Sequence, residues 1–451
     1  MFMKPVDKTS EEEMLKKAYE PARLAMKYHP FYEGKIEITA KCPVRNLNDF
    51  AIWYTPGVAE PCKDIQKNPD RVYDHTSKGN MVAVVSDGTR VLGLGDIGPE
   101  AGLPVMEGKA LLFKYLGGVD AVPICLATKD TEEIIKTVKY LAPSFGGINL
   151  EDISNPKCFE ILDRLRVEMD IPVWHDDQQG TATIVAAGAI NAHKVVGKKI
   201  SESKVAMIGA GAANIAIARI MVAAGFNIKN IVMVDSKGTL HAGREDIKGS
   251  HAEKWYMCEN SNAEGVVGGI AEAMKGADIV VAASRPGPGV IKKEWVSDMA
   301  DDAIVFATAN PIPEIWPWEA EEGGARVIAT GRSDFPNQVN NSLGFPGIFR
   351  GALDVRARTI TDEMCIAAAH AIAETAEDHG LSETYIVPGM DDPEVFIREA
   401  VAVGMKAIET GIARVTLSRE ELENRARTAI GRARSQTKML MSEGFIRNPP
   451  E

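Results

Sequence analysis

The chain has 451 residues, 45% of them hydrophobic and 25% charged, a composition ordinary for globular protein and a length that suits two or three domains better than one core. A formal net charge of −12 and a pI near 5.4 exclude nucleic acid or an anionic membrane as the main partner. Small anionic substrates remain open, because a local Arg or Lys outweighs the distant average within a Debye length of roughly 10 Å.

The cysteines, at 42, 62, 125, 158, 258 and 365, are scattered with no CxxC. They give no zinc site or disulfide framework and suit a reducing, cytoplasmic compartment. The first residues lack an apolar h-region, so no secretory signal is expected. Residues 206–226 are apolar enough to imitate a membrane span. Asn214, Arg219 and the interrupting glycines mark them instead as strand, loop and helix.

In chain order, Ser10 with Glu13 is a capping-box pattern and predicts a helix to about Pro21. Pro56 and Gly57 then force a turn beside Tyr54, a residue that in such a place is ordinarily packing. Residues 81–85 read as a buried strand, and Asp87-Gly88 ahead of a second short strand at 91–94 predicts a hairpin. Arg90 is the one cation of that stretch. It can fork onto a carboxylate or pair with Asp87 or Asp96. Lys109 precedes an apolar helical pattern at 110–116, stopped by Gly117-Gly118. Most lysines at a helix start are solvated, but the same position would lower a lysine pKa and so suit a base.

A strand at 121–126, a helix at 131–141, a strand at 145–150 and a helix at 158–166 follow, and then a short apolar run, 171–174. That run opens on His175, Asp176, Asp177, Gln178 and Gln179, after which Gly180 reads as a turn and Thr181 as the cap of a helix towards His193. This alternation predicts a parallel α/β layer, in which ligands gather at the carboxyl ends of strands. Glu151, Asp152 and Asp177 all fall at such ends. Three oxygen ligands with no neighbouring cysteine suit Mg²⁺ or Mn²⁺, solvated loop acids being the alternative.

The second half opens on a buried strand at 204–208, then Gly209, Ala210, Gly211, Ala212, Ala213 and Asn214, a helix at 215–224, and a strand at 231–234 that ends at Asp235. Strand, GxGxxN, helix, strand and an acid about twenty residues on are a dinucleotide-binding pattern. Its glycines admit the pyrophosphate to the helix N-terminus. Asn214 replaces the expected Gly or Ala, loosening the helix–strand packing or adding a polar contact. Asp235 can bond a ribose 2′-hydroxyl and favour NAD; Ser236 and Lys237 can instead take the 2′-phosphate of NADP. Strands at 279–283, 303–307 and 327–329 continue a doubly wound sheet. Asn310, Asn337, Asn340 and Asn341 lie in loops where amides can bind a carboxylate or a nicotinamide, or simply make turns. From Thr361 the chain is helical, with a second capping box at Ser418 and Glu421.

The motifs YTPGVAEPC, SDGTRVLGLGDIG, MEGKALLFK, LEDI, HDDQQGTA, GAGAAN, ATANP and NNSLGFPG occur in this order. Together they resemble the malic enzymes, the oxidative decarboxylases of malate, in their short prokaryotic form. The resemblance runs from about Tyr54 to Gly351. It implies Tyr54 as general acid, Lys109 as or assisting the general base, and Asp176 as an acid beside Lys109. It implies Glu151, Asp152 and Asp177 as metal ligands, Arg90 as the holder of a malate carboxylate, and Asn310 and Asn341 as substrate asparagines, with Asn310 also beside the cofactor. The expected architecture is a substrate and metal domain over 1–180, a Rossmann-type NAD(P) domain over 181–355 and C-terminal helices over 356–451, in a homodimer or larger homo-oligomer. A malolactic enzyme, which keeps its NADH and releases lactate, would carry the same residues. A nucleotide-binding regulatory protein would be expected to have lost Tyr54, Lys109 or a metal ligand.

Overall fold

The computed structural model describes residues 8–450. A first sheet contains β1 (Met81–Ser86), β2 (Asp120–Cys125), β3 (Gly147–Leu150) and β4 (Val173–His175), in the order β2-β1-β3-β4, all parallel. Val82 to Val85 are wholly buried, the unbroken apolar run of a strand covered on both faces by crossover helices. A second sheet contains β5 (Val205–Ile208), β6 (Ile231–Asp235), β7 (Gly238–Thr239), β8 (Ile279–Ala282), β9 (Ala303–Ala307) and β10 (Ala325–Thr330). Its order is β10-β9-β8-β5-β6-β7, parallel except for the edge strand β7. From β5 the chain winds first to β6 and later to β8, so the strand order reverses there, where dinucleotides bind.

The two sheets share one core. A single apolar cluster joins Val82, Phe113 and Trp174 to Val205, Phe306 and Phe345. The buried helix Thr181–Val196 links the layers, and helices Asp362–Asp378, Pro393–Glu409 and Arg419–Ser442 pack back on them. Ser418 and Glu421 make the expected reciprocal cap of the last helix.

Several local expectations are corrected. The first helix, Lys8–Tyr32, starts ahead of Ser10 and continues through Pro21. There is no hairpin at Asp87-Gly88. Both sides of β1 are taken by parallel partners, and residues 91–95 close only a single bridge. Gly88 serves close approach instead: at φ +68°, a Cβ there would lie 2.2 Å from the Gly98 carbonyl oxygen. The helix carrying Lys109 begins at Pro99, in a first turn that tolerates proline, so Lys109 lies in mid-helix. Gly180 is not a turn and Thr181 is not a cap. Residues Asp176–Gly180 form one π-helical turn that runs straight into helix Thr181–Val196.

Candidate active site

Because β3 and β4 are neighbours, the residues that follow them meet. Glu151, Asp152 and Asp177 each bring a carboxylate oxygen within 4.8 Å of the others. Asp152 has φ +55°, and its backbone N–H donates to Asp177 Oδ2 at 2.9 Å. Asn149 Nδ2 steadies Glu151 Oε2 at 2.8 Å. Burial, reinforced by Asp177, pushes the Asp152 carboxyl up to about 8. Burial likewise holds Glu151 well above the usual carboxylate range, and the buried Asp152 Oδ2 has no hydrogen-bond partner. Crowded, desolvated carboxylates with an orphaned oxygen fit a hard divalent cation, for which an all-oxygen set is the right chemistry.

Lys109 lies beside this trio, its Nζ 3.1 Å from Glu151 Oε1 and 2.5 Å from Asp176 Oδ2. Asp176 is fully buried and fixed from behind by Trp174 Nε1 at 3.1 Å. The Phe345 ring lies 4.4 Å from Nζ and offers a cation–π contact. Burial alone would lower the Lys109 pKa, but the charges of Asp176 and Glu151 outweigh it and hold the ammonium above its ordinary range. The expected helix-terminal depression is therefore absent. His175 is buried with neither ring nitrogen paired, 3.7 Å from Asp177 Oδ2.

The opposite wall is the glycine-rich loop. Gly209, at φ +102°, is required by the fold, since a Cβ there would come within 2.7 Å of the Ala283 carbonyl oxygen. Gly211 is not: a Cβ there would meet nothing within 4 Å. It precedes helix Ala212–Ala223, whose N-terminus has no side-chain cap. Open space before uncapped N–H groups fits a pyrophosphate. Asn214 resolves its alternatives in favour of a polar contact, donating to the Ile208 and Gly209 carbonyls at 2.9 and 2.8 Å. Its side chain is buried and holds the loop together.

A cleft of about 460 Å³ separates the walls and gathers Arg90, Lys109, Glu151, Asp152 and Asp177 opposite Gly209, Gly211, Ala212, Ala213, Asn310 and Asn341. Arg90 forms no ion pair among the described residues. Asp87 is taken by Lys157 and Asp96 by Lys129, while Arg90 Nη1 reaches the Leu92 carbonyl at 2.8 Å. Asn337 turns away, its amide bonded to the Ile328 and Glu383 carbonyls at 2.9 and 2.8 Å. Tyr54 is outside the cleft and 71% exposed, just past helix Asn48–Trp53.

Asp235 ends β6 as expected, but its carboxylate is not free. Arg244 grips both oxygens at 3.0 Å, and the Lys237 N–H adds a bond at 2.9 Å. Lys237 Nζ pairs with Asp246 at 3.0 Å, and Ser236 is exposed beside it. Arg244 and Asn149 carried no sequence signal, and Trp174 and Phe345 entered the sequence reading only as members of an apolar run and of a motif; the part each plays is defined by what it touches.

A glycine-rich loop on a doubly wound sheet, facing a lysine and a carboxylate trio, defines a nicotinamide-dinucleotide oxidoreductase that acts on a small acid. Family models agree on the finer class: the malic enzyme N-terminal domain matches residues 33–132 and 127–166, and the malic enzyme NAD-binding domain matches 178–408. The chain belongs to the malic enzyme family. It is 52% identical over 409 residues to a bifunctional malic/malolactic enzyme of Bacillus subtilis, covering 90% of this chain and 98% of that protein. It is 54% identical over 381 residues to an NAD-dependent malic enzyme of Geobacillus stearothermophilus, covering 84% and 78%. The crystal structure of Entamoeba histolytica malic enzyme superposes with a TM-score of 0.96 at 49% identity, covering 99% of this chain and 94% of that one.

Proposed function

We propose that this chain catalyses the oxidative decarboxylation of L-malate to pyruvate and CO₂ with reduction of NAD or NADP, assisted by Mg²⁺ or Mn²⁺. The observation that carries this reading is the junction of Lys109 with the Glu151–Asp152–Asp177 trio across one cleft from the glycine-rich loop. Glu151, Asp152 and Asp177 would hold the divalent cation, which would supply positive charge to the substrate, and a dinucleotide at the glycine-rich loop would supply the hydride acceptor. Arg90 holds a malate carboxylate, and Asn310 and Asn341 orient the rest of the acid. Lys109 takes the C2 hydroxyl proton at Nζ, with Asp176 holding that amine in place. Tyr54 returns a proton to C3 once CO₂ has left.

The exposure of Tyr54 supports a homodimer. Around it Leu47, Phe50, Ile52 and Trp53 are also exposed, and Leu92 and Leu94 are exposed near the cleft. An apolar ridge that carries a catalytic group suits a second copy that brings Tyr54 to its cleft. The free thiols support a cytoplasmic setting, and among the described residues no helix is long and apolar enough to cross a membrane.

An absorbance assay at about 340 nm with L-malate, Mn²⁺ and either NAD or NADP tests the reading, with the product acid analysed in the same tube. Reduced cofactor matched by pyruvate is expected. Lactate without net reduced cofactor would replace the reading with malolactic turnover.

A further inference from the structure

Glu314 is wholly buried and forms no ion pair with any described residue. Its Oε1 accepts the Ser284 backbone N–H at 2.9 Å and the Ser284 hydroxyl at 3.1 Å. Its Oε2 accepts the Ala309 N–H at 3.0 Å. Ser284 follows β8 and Ala309 follows β9, and both line the cleft. Backbone bonds reinforce the tie, from Gly287 N–H to the Ile312 carbonyl at 3.2 Å and from Ile291 N–H to the Glu314 carbonyl at 3.1 Å. The first loop rests on the glycine-rich loop, against Gly209. The second carries Asn310, whose amide nitrogen would lie 2.6 Å from a Cβ on Gly331.

A carboxylate buried without a cation is a costly way to join two loops, and burial pushes this carboxyl above its usual range. Its three donors offset that cost. The arrangement fixes two loops at the point of the sheet where the nicotinamide half of a dinucleotide lies. We propose that Glu314 is a positioning residue for hydride transfer: it sets the loops after β8 and β9 against the nicotinamide and, through Asn310, against the substrate. The inference deepens the function proposed above and rests on it.

Glu314→Gln tests it in the full-length chain. An amide offers one acceptor and one NH₂, so one loop must face N–H with N–H while volume is kept. Three quantities are measured: Kd for NADH by fluorescence, Kd for ADP-ribose by calorimetry, and kcat with its primary isotope effect on C2-deuterated malate. ADP-ribose reports the glycine-rich loop without the nicotinamide. The expected result is NADH binding weakened about tenfold with ADP-ribose binding unchanged within about twofold. In parallel, kcat falls roughly 10- to 100-fold and its isotope effect rises. Wild-type values throughout would overturn the inference. So would equal weakening of both ligands with a lowered Tm, which is what a purely structural brace predicts. The binding ratio needs no turnover and decides the inference even if the wild-type chain does not oxidise malate, an outcome that would sink the proposed function instead. Should Glu314→Gln fail to fold, Ser284→Ala removes a single donor. It should weaken NADH about threefold with ADP-ribose unchanged, and no such split would overturn the inference.

Discussion

At the scale of single residues, charge decides what the site can do. Lys109 lies between Asp176 and Glu151 and is held as an ammonium. In the proposed mechanism it would act as a base only once positive charge reaches the carboxylate trio. Lys109→Ala should lower kcat about 10²- to 10⁴-fold with cofactor Kd unchanged, read by steady-state kinetics and fluorescence titration. Retained activity would remove it as the base. Asp235 shows the opposite limit on sequence reading. Its place at the end of β6 was legible from the spacing, but its clamping by Arg244 was not. A contact nine residues away across a loop has no period and no motif. The clamp pairs Asp235 with Arg244, which Asp246 also holds, at 2.8 and 3.1 Å, so an arginine accompanies the acid expected to face the ribose. Arg244→Ala should therefore shift the ratio of kcat/KM for NADP over NAD downward about tenfold, the worth of about 1.4 kcal/mol. An unchanged ratio would show that neither side chain sets the preference.

At the scale of elements, the π-helical turn Asp176–Gly180 joins strand β4 to its helix and separates two adjacent carboxylates. Asp176 points to Lys109 and Trp174, while Asp177 joins Glu151 and Asp152. Such insertions recur at functional sites because they re-aim side chains without ending the helix. The sequence shows both acids and the glycine but reads the glycine as a turn, since glycine ordinarily marks one. Here it is required because Asp176 Oδ1 would lie 2.0 Å from a Cβ on Gly180. Gly180→Ala must therefore displace Asp176 or the turn. Mn²⁺ at a hundred times its Kd should stabilise the wild type by about 2.7 kcal/mol. The variant should lose most of that shift in a thermal melt while still binding ADP-ribose. A full metal-induced shift would mean that the turn tolerates the methyl. The dinucleotide loop was easier to read, because Gly209 and the flanking strands carry a local geometric demand, while Gly211 leaves open space before the helix. The Asp87-Gly88 hairpin was misread because the pairing of β1 is decided by distant strands.

At the scale of the whole molecule, the trio, lysine and dinucleotide loop of one chain face a single cleft, and Tyr54 does not. As the proposed proton donor to C3 of the substrate, Tyr54 would have to arrive either by closure within the chain or from another copy. The two routes differ in what mixed assemblies can do. Tyr54→Phe keeps its own Lys109, and Lys109→Ala keeps its own Tyr54. If Tyr54 acts across a dimer interface, each mixed dimer holds one complete site and one site lacking both groups. Refolding or co-expressing the two inactive variants in equal amounts should then restore roughly one quarter of wild-type activity, because half of randomly paired dimers are mixed and each has one working site of two. If Tyr54 closes onto its own cleft, no pairing supplies both groups to one site, and the mixture stays as inactive as its parts. Charged substitutions on the ridge, such as Ile52→Asp, should dissociate the assembly and remove wild-type activity in proportion, read by sedimentation and turnover on the same sample. A monomer that remains fully active would return Tyr54 to its own chain.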